Sequence, residues 1–333
     1  MISFKILLAV LLSASTVTAK PQHLLKIATL APEGSSWVKA VRAIDEDVRR
    51  KTSGRVGLKI YPGGVQGNEK VVLRKIRIGQ LHGGGFGGQG ISQIFPDILA
   101  LEMPFLFNDY AEIEHVLAGM DEFYRAGYEA KGYVFLGWAD IGCVHILSQQ
   151  PVRTVEDIRS LKVWQLADEP ITEVLFRLAG VQSIPLTIPD VLLGLQTNLV
   201  DVVYASPAAA IVFQWFTRVK YVTRLPINYT LGALLVDKRA FAKISTEDQE
   251  LILGIAHGHM AALSIQSRRE NDEAMTVLEA NGLQIVEASP ADVATFKNLV
   301  VAAEAELTGK AFSTQAHSLI QQHLREFRQA APP

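Results

Sequence analysis

Strand-like and helix-like patterns alternate along almost the whole chain, and this alternation limits the folds open to it more than any other feature. Apolar residues at every second position predict strands over 25–29 and 56–60. Between these strands, apolar residues recur at helical spacing from Trp37 to Val48. Repeated strand–helix units of this kind predict an α/β fold with largely parallel sheets.

The second half of the chain continues the pattern with clearer helix boundaries. Thr154 and Asp157 have the spacing of a capping box. Pro170 fits the first position of a helix, and Gly180 fits the position after its end. A strand is predicted over 229–236.

One predicted helix is unusually long. Ser245 and Asp248 mark its start, and it runs to Asn281 and Gly282. A chain of 333 residues has the length of about two domains. A helix this long is therefore expected to bridge two lobes.

Composition and the N-terminus restrict the function and the location. Charged residues make up 20% of the chain and the formal net charge is −2, which argues against binding to nucleic acid or to an anionic membrane. Residues 1–19 have a basic residue, the apolar run 6–12 and a small-residue cleavage site, so they predict a cleavable signal peptide and a periplasmic protein. The alternative is a membrane anchor, but the run falls short of the roughly 20 residues that cross a bilayer.

A glycine-rich stretch at 83–90 contains a formal G-x-G-x-x-G pattern at Gly83, Gly85 and Gly88. A dinucleotide site also needs a long helix that opens on the glycines and an acidic residue about 20 positions later. Residues 91–96 argue against such a helix. We therefore predict a loop whose bare backbone leaves room for a ligand.

Signatures of catalysis and metal binding are absent from the sequence. It has neither a G-x-S-x-G elbow nor an H-E-x-x-H zinc motif. His257 and His259 are two positions apart on a predicted helix, so they point in different directions. We expect no enzyme activity, no cofactor and no metal. A periplasmic α/β enzyme and a ligand-free scaffold are the competing classes.

Several short segments, in their order and spacing, resemble the DctP-like solute-binding proteins of tripartite ATP-independent periplasmic (TRAP) transporters. The segments are GRVGLKIYP at 54–62, QGNE at 66–69, FPD at 95–97, MPFLF at 103–107, IRSLKV at 158–163 and LQTNLVD at 195–201. The resemblance implies a two-lobed periplasmic binding protein fold, with a long helix spanning both lobes and a ligand cleft between them.

The resemblance also implies boundaries and partners. Lobe I would comprise 24–140 plus 230–268, and lobe II would comprise 141–229 plus 269–330. A small-molecule ligand and the TRAP membrane subunits are the implied partners. Segments within 161–221 resemble a subgroup that is associated with a periplasmic protein of tetratricopeptide type.

Four departures from the family pattern concern the ligand. Organic-acid binders of the family carry an Arg where this chain has Trp164, and a second Arg where it has Val144. The family's acidic loop residue corresponds to Gly87, and its Asn-Pro corresponds to Ser206-Pro207. A buried carboxylate without a cationic partner is costly, so we predict an apolar, aromatic or amphipathic ligand. In the alternative, Trp164 points into the core and another Arg, such as Arg153 or Arg218, holds a carboxylate.

The predicted ligand-binding residues come from both lobes, and a ligand that touches both would favour closure of the cleft. Trp37 could equally be a core residue, because it lies on the apolar face of its helix. The predicted residues are Trp37, Asn68, Phe86, Gln89, Val144, Trp164, Ile188, Tyr204 and Ser206.

Overall fold

The structure is a computed structural model that describes residues 21–330. The predicted signal peptide, residues 1–19, lies outside the described residues. The strands are β1 (His23–Thr29), β2 (Val56–Tyr61), β3 (Gly83–Phe86), β4 (Tyr133–Cys143), β5 (His145–Ser148), β6 (Val163–Leu166), β7 (Ser183–Leu186), β8 (Val202–Ala205), β9 (Tyr221–Thr223), β10 (Tyr229–Asp237) and β11 (Gln284–Val286).

Twelve α-helices and two short 3₁₀ helices, Pro96–Glu102 and Trp215–Arg218, connect these strands within the described range. The α-helices are α1 (Ser36–Lys51), α2 (Glu69–Arg77), α3 (Gly88–Ile94), α4 (Tyr110–Ala130), α5 (Val155–Arg159), α6 (Pro170–Ala179), α7 (Ile188–Gln196), α8 (Pro207–Val212), α9 (Lys238–Phe241), α10 (Thr246–Ala280), α11 (Pro290–Leu307) and α12 (Thr314–Ala330).

The strands form two separate sheets, one for each lobe of the predicted α/β fold. The first has the order β2-β1-β3-β10-β4 and the second has the order β11-β9-β5-β8-β6-β7. Pairing is parallel among β1, β2 and β3, but β10 is antiparallel to both of its neighbours. The second sheet is also mixed, because β5 is antiparallel to β8 and β9. The predicted α/β class is confirmed, whereas the sheets are less parallel than expected.

The predicted helix boundaries follow from local hydrogen bonding. Thr154 and Asp157 form a reciprocal capping box at the start of α5. Pro170 opens α6, and Gly180 ends it in the left-handed conformation with φ of 65°. Ser245 accepts a hydrogen bond from the Asp248 amide at the start of α10, as its spacing predicted.

Two strand crossovers and the long helix α10 connect the sheets. The crossovers run side by side, because the Val144 amide donates to Asn228 O at 2.8 Å and the Ile227 amide donates to Val144 O at 2.9 Å. Helix α10 has 35 residues. Its Leu263 packs in the core of the first sheet, and its Leu278 packs in the core of the second. The expected helix spanning both lobes is therefore present.

The C-terminal helix α12 departs from the predicted lobe boundaries, which assigned 269–330 to lobe II. Its Ile320 and Leu324 are buried in one cluster with Met120 and Tyr124 of α4, which belongs to the first lobe. The prediction was wrong for this helix, because its apolar face is covered by α4. The other boundaries stay predictions.

The glycine-rich stretch is not the predicted loop. Residues 83–86 form β3, which is buried between β1 and β10, and residues 88–94 form α3. Because glycine has no side chain, Gly88 and Gly90 leave space that other residues of the protein fill. A Cβ on Gly88 would lie within 3 Å of the Glu102 carboxylate, and one on Gly90 would lie 2.8 Å from Glu69 Oε2. The bare backbone therefore accommodates two buried acids.

Candidate functional site

A cavity of about 360 Å³ lies between the two lobes, a size that suits a small ligand. Both sheets contribute to its wall, together with α1, α6 and α8. Eight of the nine predicted ligand-binding residues line it. They are Trp37, Phe86, Gln89, Val144, Trp164, Ile188, Tyr204 and Ser206. Their contact with a ligand stays a prediction.

Asn68 is the predicted residue that does not line the cavity. It is the N-cap of α2, and its Oδ1 accepts a hydrogen bond from the Val71 amide at 3.0 Å. An Asn directly before a helix satisfies an otherwise unpaired backbone donor. Its presence in the QGNE segment is explained by this capping role.

The first-lobe wall is built around the indole ring of Trp37. Two glycines give this ring its space, because a Cβ on Gly85 would lie 3.2 Å from it and a Cβ on Gly232 would lie 2.6 Å from it. Trp37 is half-buried and also packs against the core of its lobe. Trp37 therefore belongs both to the core of its lobe and to the cavity wall.

Trp164 belongs to the second-lobe core and to the cavity wall at once. Its indole stacks on Tyr204 with centroids 4.6 Å apart and meets Trp215 edge-on at 5.2 Å. Its Nε1 donates to Leu186 O at 3.0 Å. Only 3% of its surface is exposed. The side chain is thus fixed by packing and one hydrogen bond, and it presents an apolar face to the cavity.

Two polar side chains on the wall, those of Tyr204 and Ser206, form hydrogen bonds with the protein's own backbone. Tyr204 Oη accepts a hydrogen bond from the Leu166 amide at 2.9 Å. Ser206 Oγ accepts one from the Ala209 amide at 3.3 Å and caps α8. Both oxygens therefore stabilise the wall, and each already accepts a hydrogen bond from the protein instead of from a ligand.

Two contacts cross the cleft from lobe to lobe. The Gln89 amide nitrogen donates to Ala167 O, and Lys70 Nζ forms an ion pair with Asp168 at 2.7 Å. Both contacts reach the loop between β6 and α6. They link the two lobes beside the cavity.

Three buried glutamates, which the sequence reading did not select, also line the cavity. Burial raises the pKa of Glu69 to about 7, although the backbone amides of Gly87 and Gly90 limit the rise. Burial and the charge of Glu169 raise the pKa of Glu102 to about 8. Burial also raises the pKa of Glu169, which caps α6 by accepting from the Ile171 and Thr172 amides. Burial of a Glu cannot be read from a single sequence, so the residues alone gave no signal.

No lysine, arginine or histidine lines the cavity among the residues 21–330 that the structure describes. Five carboxylic acids do, because Asp140 and Glu270 join the three glutamates. Arg153 and Arg218, which the alternative reading offered as carboxylate ligands, are exposed and lie outside the wall.

Arg268 is bonded to a carboxylate of the wall, yet it is occupied by the protein. It pairs with Asp140 and Glu114 and lies over the ring of Tyr110. The described cavity wall therefore has no free cationic side chain that could bind the carboxylate of a ligand.

Known proteins share this sequence pattern and this fold. A family model described as bacterial extracellular solute-binding protein, family 7 (DctP) matches residues 27–309. A solute-binding protein of Verminephrobacter eiseniae is 26% identical over 276 residues, which are 81% of each chain. The 2,3-diketo-L-gulonate-binding periplasmic protein YiaO of Escherichia coli is 25% identical over 223 residues, 65% of this chain and 66% of YiaO.

A solved structure from Xanthobacter autotrophicus extends the likeness to three dimensions. This TRAP periplasmic solute-binding protein, with bound β-D-galacturonate, has a TM-score of 0.84 at 20% identity. The match covers 90% of this chain and 99% of that one. Its ligand is a sugar acid, so the relatives do not support the hydrophobic ligand predicted here. That prediction came from the four departures of this chain's sequence from the family pattern, at Trp164, Val144, Gly87 and Ser206.

Proteins of this family bind solutes outside the cytoplasm and are not enzymes, and the relative YiaO is a periplasmic binding protein. Within the described residues, no helix combines the length and apolar character that crossing a membrane requires. The chain belongs to the DctP family of bacterial extracellular solute-binding proteins, family 7.

Proposed function

We propose that this protein is the periplasmic binding subunit of a TRAP transporter whose ligand has a largely apolar surface and no arginine-held carboxylate. It captures this ligand between its lobes and delivers it to the membrane subunits. This choice of ligand class is supported by the composition of the cavity wall. Among the described residues, the wall has aromatic and aliphatic side chains and five carboxylic acids, but no lysine, arginine or histidine.

Electrostatics oppose an anionic ligand in this cavity. A carboxylate buried without a cationic partner is strongly unfavourable, and no lysine, arginine or histidine lines the described wall. An apolar surface has no such cost. Burying roughly 200 Å² of it contributes on the order of 5 kcal/mol before ordering costs are subtracted.

Ligand-driven closure is the proposed mechanism. Trp37 and Phe86 belong to the first lobe, whereas Trp164 and Tyr204 belong to the second. A ligand in contact with both pairs has more contacts in the closed state, and this differential affinity shifts the population toward closure. The Lys70–Asp168 pair and the Gln89–Ala167 hydrogen bond then fasten the loop beside the cavity.

A sugar acid is the second candidate ligand, because the Xanthobacter autotrophicus protein holds β-D-galacturonate. For this chain it would need a cation that the described wall lacks, such as Arg268 after release from Asp140. A tetratricopeptide-type partner stays a prediction from the sequence resemblance.

A matched pair of probes tests the ligand class. Protein freed of ligand by unfolding and refolding would be titrated calorimetrically with decanol and with decanoate, which differ in the carboxylate, and with galacturonate and glucuronate. We expect decanol to bind more tightly than decanoate and the uronates not to bind. Tight binding of either uronate, with no binding of decanol, would establish the sugar-acid candidate instead.

A further inference from the structure

Two histidines and a glutamate meet where α12 packs on α4, away from the ligand cavity. His115 belongs to α4, and His323 and Glu326 belong to α12. One nitrogen or carboxylate oxygen from each residue lies within 4.8 Å of the other two. Residues from distant parts of the chain therefore present three metal-binding atoms to one point.

The imidazole of His323 occupies a place that the α4 sequence leaves open. A Cβ on Gly119 would lie 2.5 Å from its Cε1, so any side chain at 119 would displace the ring. His115, one turn before Gly119, meets His323 edge-on with centroids 6.0 Å apart. The ring of His115 also contacts Phe327 at 5.2 Å. The imidazole of His323 is thus positioned by packing, whereas the ring of His115 is exposed and can rotate.

Rigid helices carry all three side chains. Ile320 and Leu324 of α12 are buried in the same cluster as Val116 and Met120 of α4. Metal sites built on packed helices hold their ligand atoms more accurately than sites on loops.

The carboxylate of Glu326 is oriented toward the histidines. Gln322 donates to its Oε1 at 2.8 Å, and its Oε2 lies 3.5 Å from His323 Nδ1. The nearby Arg328 is engaged elsewhere, since it forms a bidentate pair with Glu112 at 2.7 and 2.8 Å. Glu326 therefore keeps one oxygen available for a cation.

We propose that His115, His323 and Glu326 bind one divalent transition-metal ion, of which Zn²⁺ is the best match. Two imidazoles and a carboxylate are donors that Zn²⁺ prefers, and water would complete a tetrahedral set. Zinc–nitrogen bonds of about 2.0–2.1 Å place neighbouring ligand atoms roughly 3.3 Å apart. The His323–Glu326 separation of 3.5 Å already matches, and rotation of the exposed His115 and Glu326 side chains closes the other gaps.

Such an ion would fasten the C-terminal helix to the first lobe. The ligand atoms come together only in the folded chain, so zinc would bind the folded state and raise its stability by mass action. Neither ligand capture nor the cavity residues enter this site, and its failure would leave the proposed function untouched.

The test is zinc binding to the tag-free protein after removal of metals by a chelator. Competition with a chromophoric zinc indicator gives stoichiometry and affinity, and thermal unfolding gives the stability change. We expect one zinc per chain and a rise in Tm of roughly 4 °C or more at about 100 times the Kd. Magnesium, a hard cation that prefers oxygen ligands, should give no rise.

Variants identify the ligands. His115→Gln changes an exposed residue, and Glu326→Gln keeps the shape of its side chain, so both should fold. Each should weaken zinc binding by at least the roughly 10–100-fold seen for lesser changes around metal sites. His317→Gln, on the same helix but paired with Glu304 at 2.6 Å, should leave zinc binding unchanged. Equal affinity in wild type, His115→Gln and Glu326→Gln would overturn the proposal, as would the absence of any zinc-dependent rise in Tm.

Discussion

The indole ring of Trp164 lies over the phenol ring of Tyr204, with centroids 4.6 Å apart and an angle of 22° between the planes. In the sequence resemblance, Trp164 takes the place of an arginine of the family's organic-acid binders. The edges of the stack are fixed by hydrogen bonds to the backbone, from Trp164 Nε1 to Leu186 O and from the Leu166 amide to Tyr204 Oη. The second-lobe wall of the cavity is therefore a rigid aromatic surface.

Two substitutions at Trp164 should distinguish how much its hydrogen bond and the burial of its ring each contribute to the unfolding free energy. Trp164→Phe keeps an aromatic ring but removes one of the two hydrogen bonds that Leu186 O accepts, the other coming from the Ala167 amide at 3.3 Å. This change should cost about 0.5–1.5 kcal/mol of unfolding free energy. Trp164→Arg places an unpaired charge in the aromatic cluster and should cost about 3–5 kcal/mol. Urea unfolding measures both values. Equal stability of the two variants would show that the ring is less buried than the structure has it.

The ion pair of Arg268 with Asp140 joins α10 to β4 beside the crossover strands. Asp140 is 2% exposed, so Asp140→Asn leaves the partly buried Arg268 without its main partner. Because Arg268 keeps its ion pair with Glu114, we expect a loss of about 1.5–3 kcal/mol in urea unfolding. The exposed pair of Arg125 with Asp121 is the matched control, and Asp121→Asn should cost less than about 1 kcal/mol. Similar losses at the two sites would contradict a structural role for Asp140.

The raised pKa of Glu102, about 8, predicts the pH dependence of stability. Its folded pKa lies above the unfolded value, so the folded state holds an extra proton between about pH 5 and 8. This contribution to stability is complete at low pH and is lost as the pH rises, by up to about 1.4 kcal/mol per pH unit. Glu69 adds a slope of the same sign up to about pH 7.

Glu102→Gln isolates this contribution. Burial lowers the pKa of His82 and His145. These histidines therefore make the unfolding free energy rise with pH below about pH 6.5, which opposes the effect of Glu102. For this reason the test compares the variant with the wild type at each pH. Between pH 6 and pH 8, the unfolding free energy measured with urea should fall further for the wild type than for Glu102→Gln. Identical slopes would show that Glu102 is ionised in the folded state.

The close contact between Gly85 and Trp37 predicts a steric coupling. Gly85→Ala places a Cβ 3.2 Å from the indole and should destabilise the fold by about 1–3 kcal/mol. Adding Trp37→Phe should relieve part of this loss, with a coupling of about 0.5 kcal/mol or more. On the open surface of α10, Gly258 has no neighbour within 4 Å of a Cβ, and Gly258→Ala should stabilise by about 0.5–1 kcal/mol. Additive effects of the Gly85 and Trp37 changes would refute the contact.

Local hydrogen bonding and apolar periodicity made much of the fold predictable. The caps at Thr154 and Ser245 and the glycine after α6 depend on nearby residues, and they were read correctly. Strand β3 was missed because four residues, three of them glycine, carry no alternating pattern, and its place in the sheet depends on pairing with β1 and β10. Helix α12 was placed in the wrong lobe because only the folded chain shows which surface covers its apolar face.

The candidate site was predictable in part for a related reason. Aromatic and aliphatic positions such as Trp164 and Ile188 were selected where the chain departs from a recognised pattern, and they line the cavity. Asn68 was misread because a capping Asn and a ligand-binding Asn look alike in sequence. Glu69 and Glu102 were overlooked because a single sequence does not show that a carboxyl is buried.

A crystal structure of the protein with the molecule it retains on purification would test the ligand class most directly. The decisive quantity is the distance from each ligand atom to the nearest guanidinium or ammonium nitrogen. We predict that Trp164 and Tyr204 lie within about 4 Å of an apolar part of the ligand, with no arginine or lysine in contact with it. A carboxylate held by Arg268 or any other arginine would contradict the account.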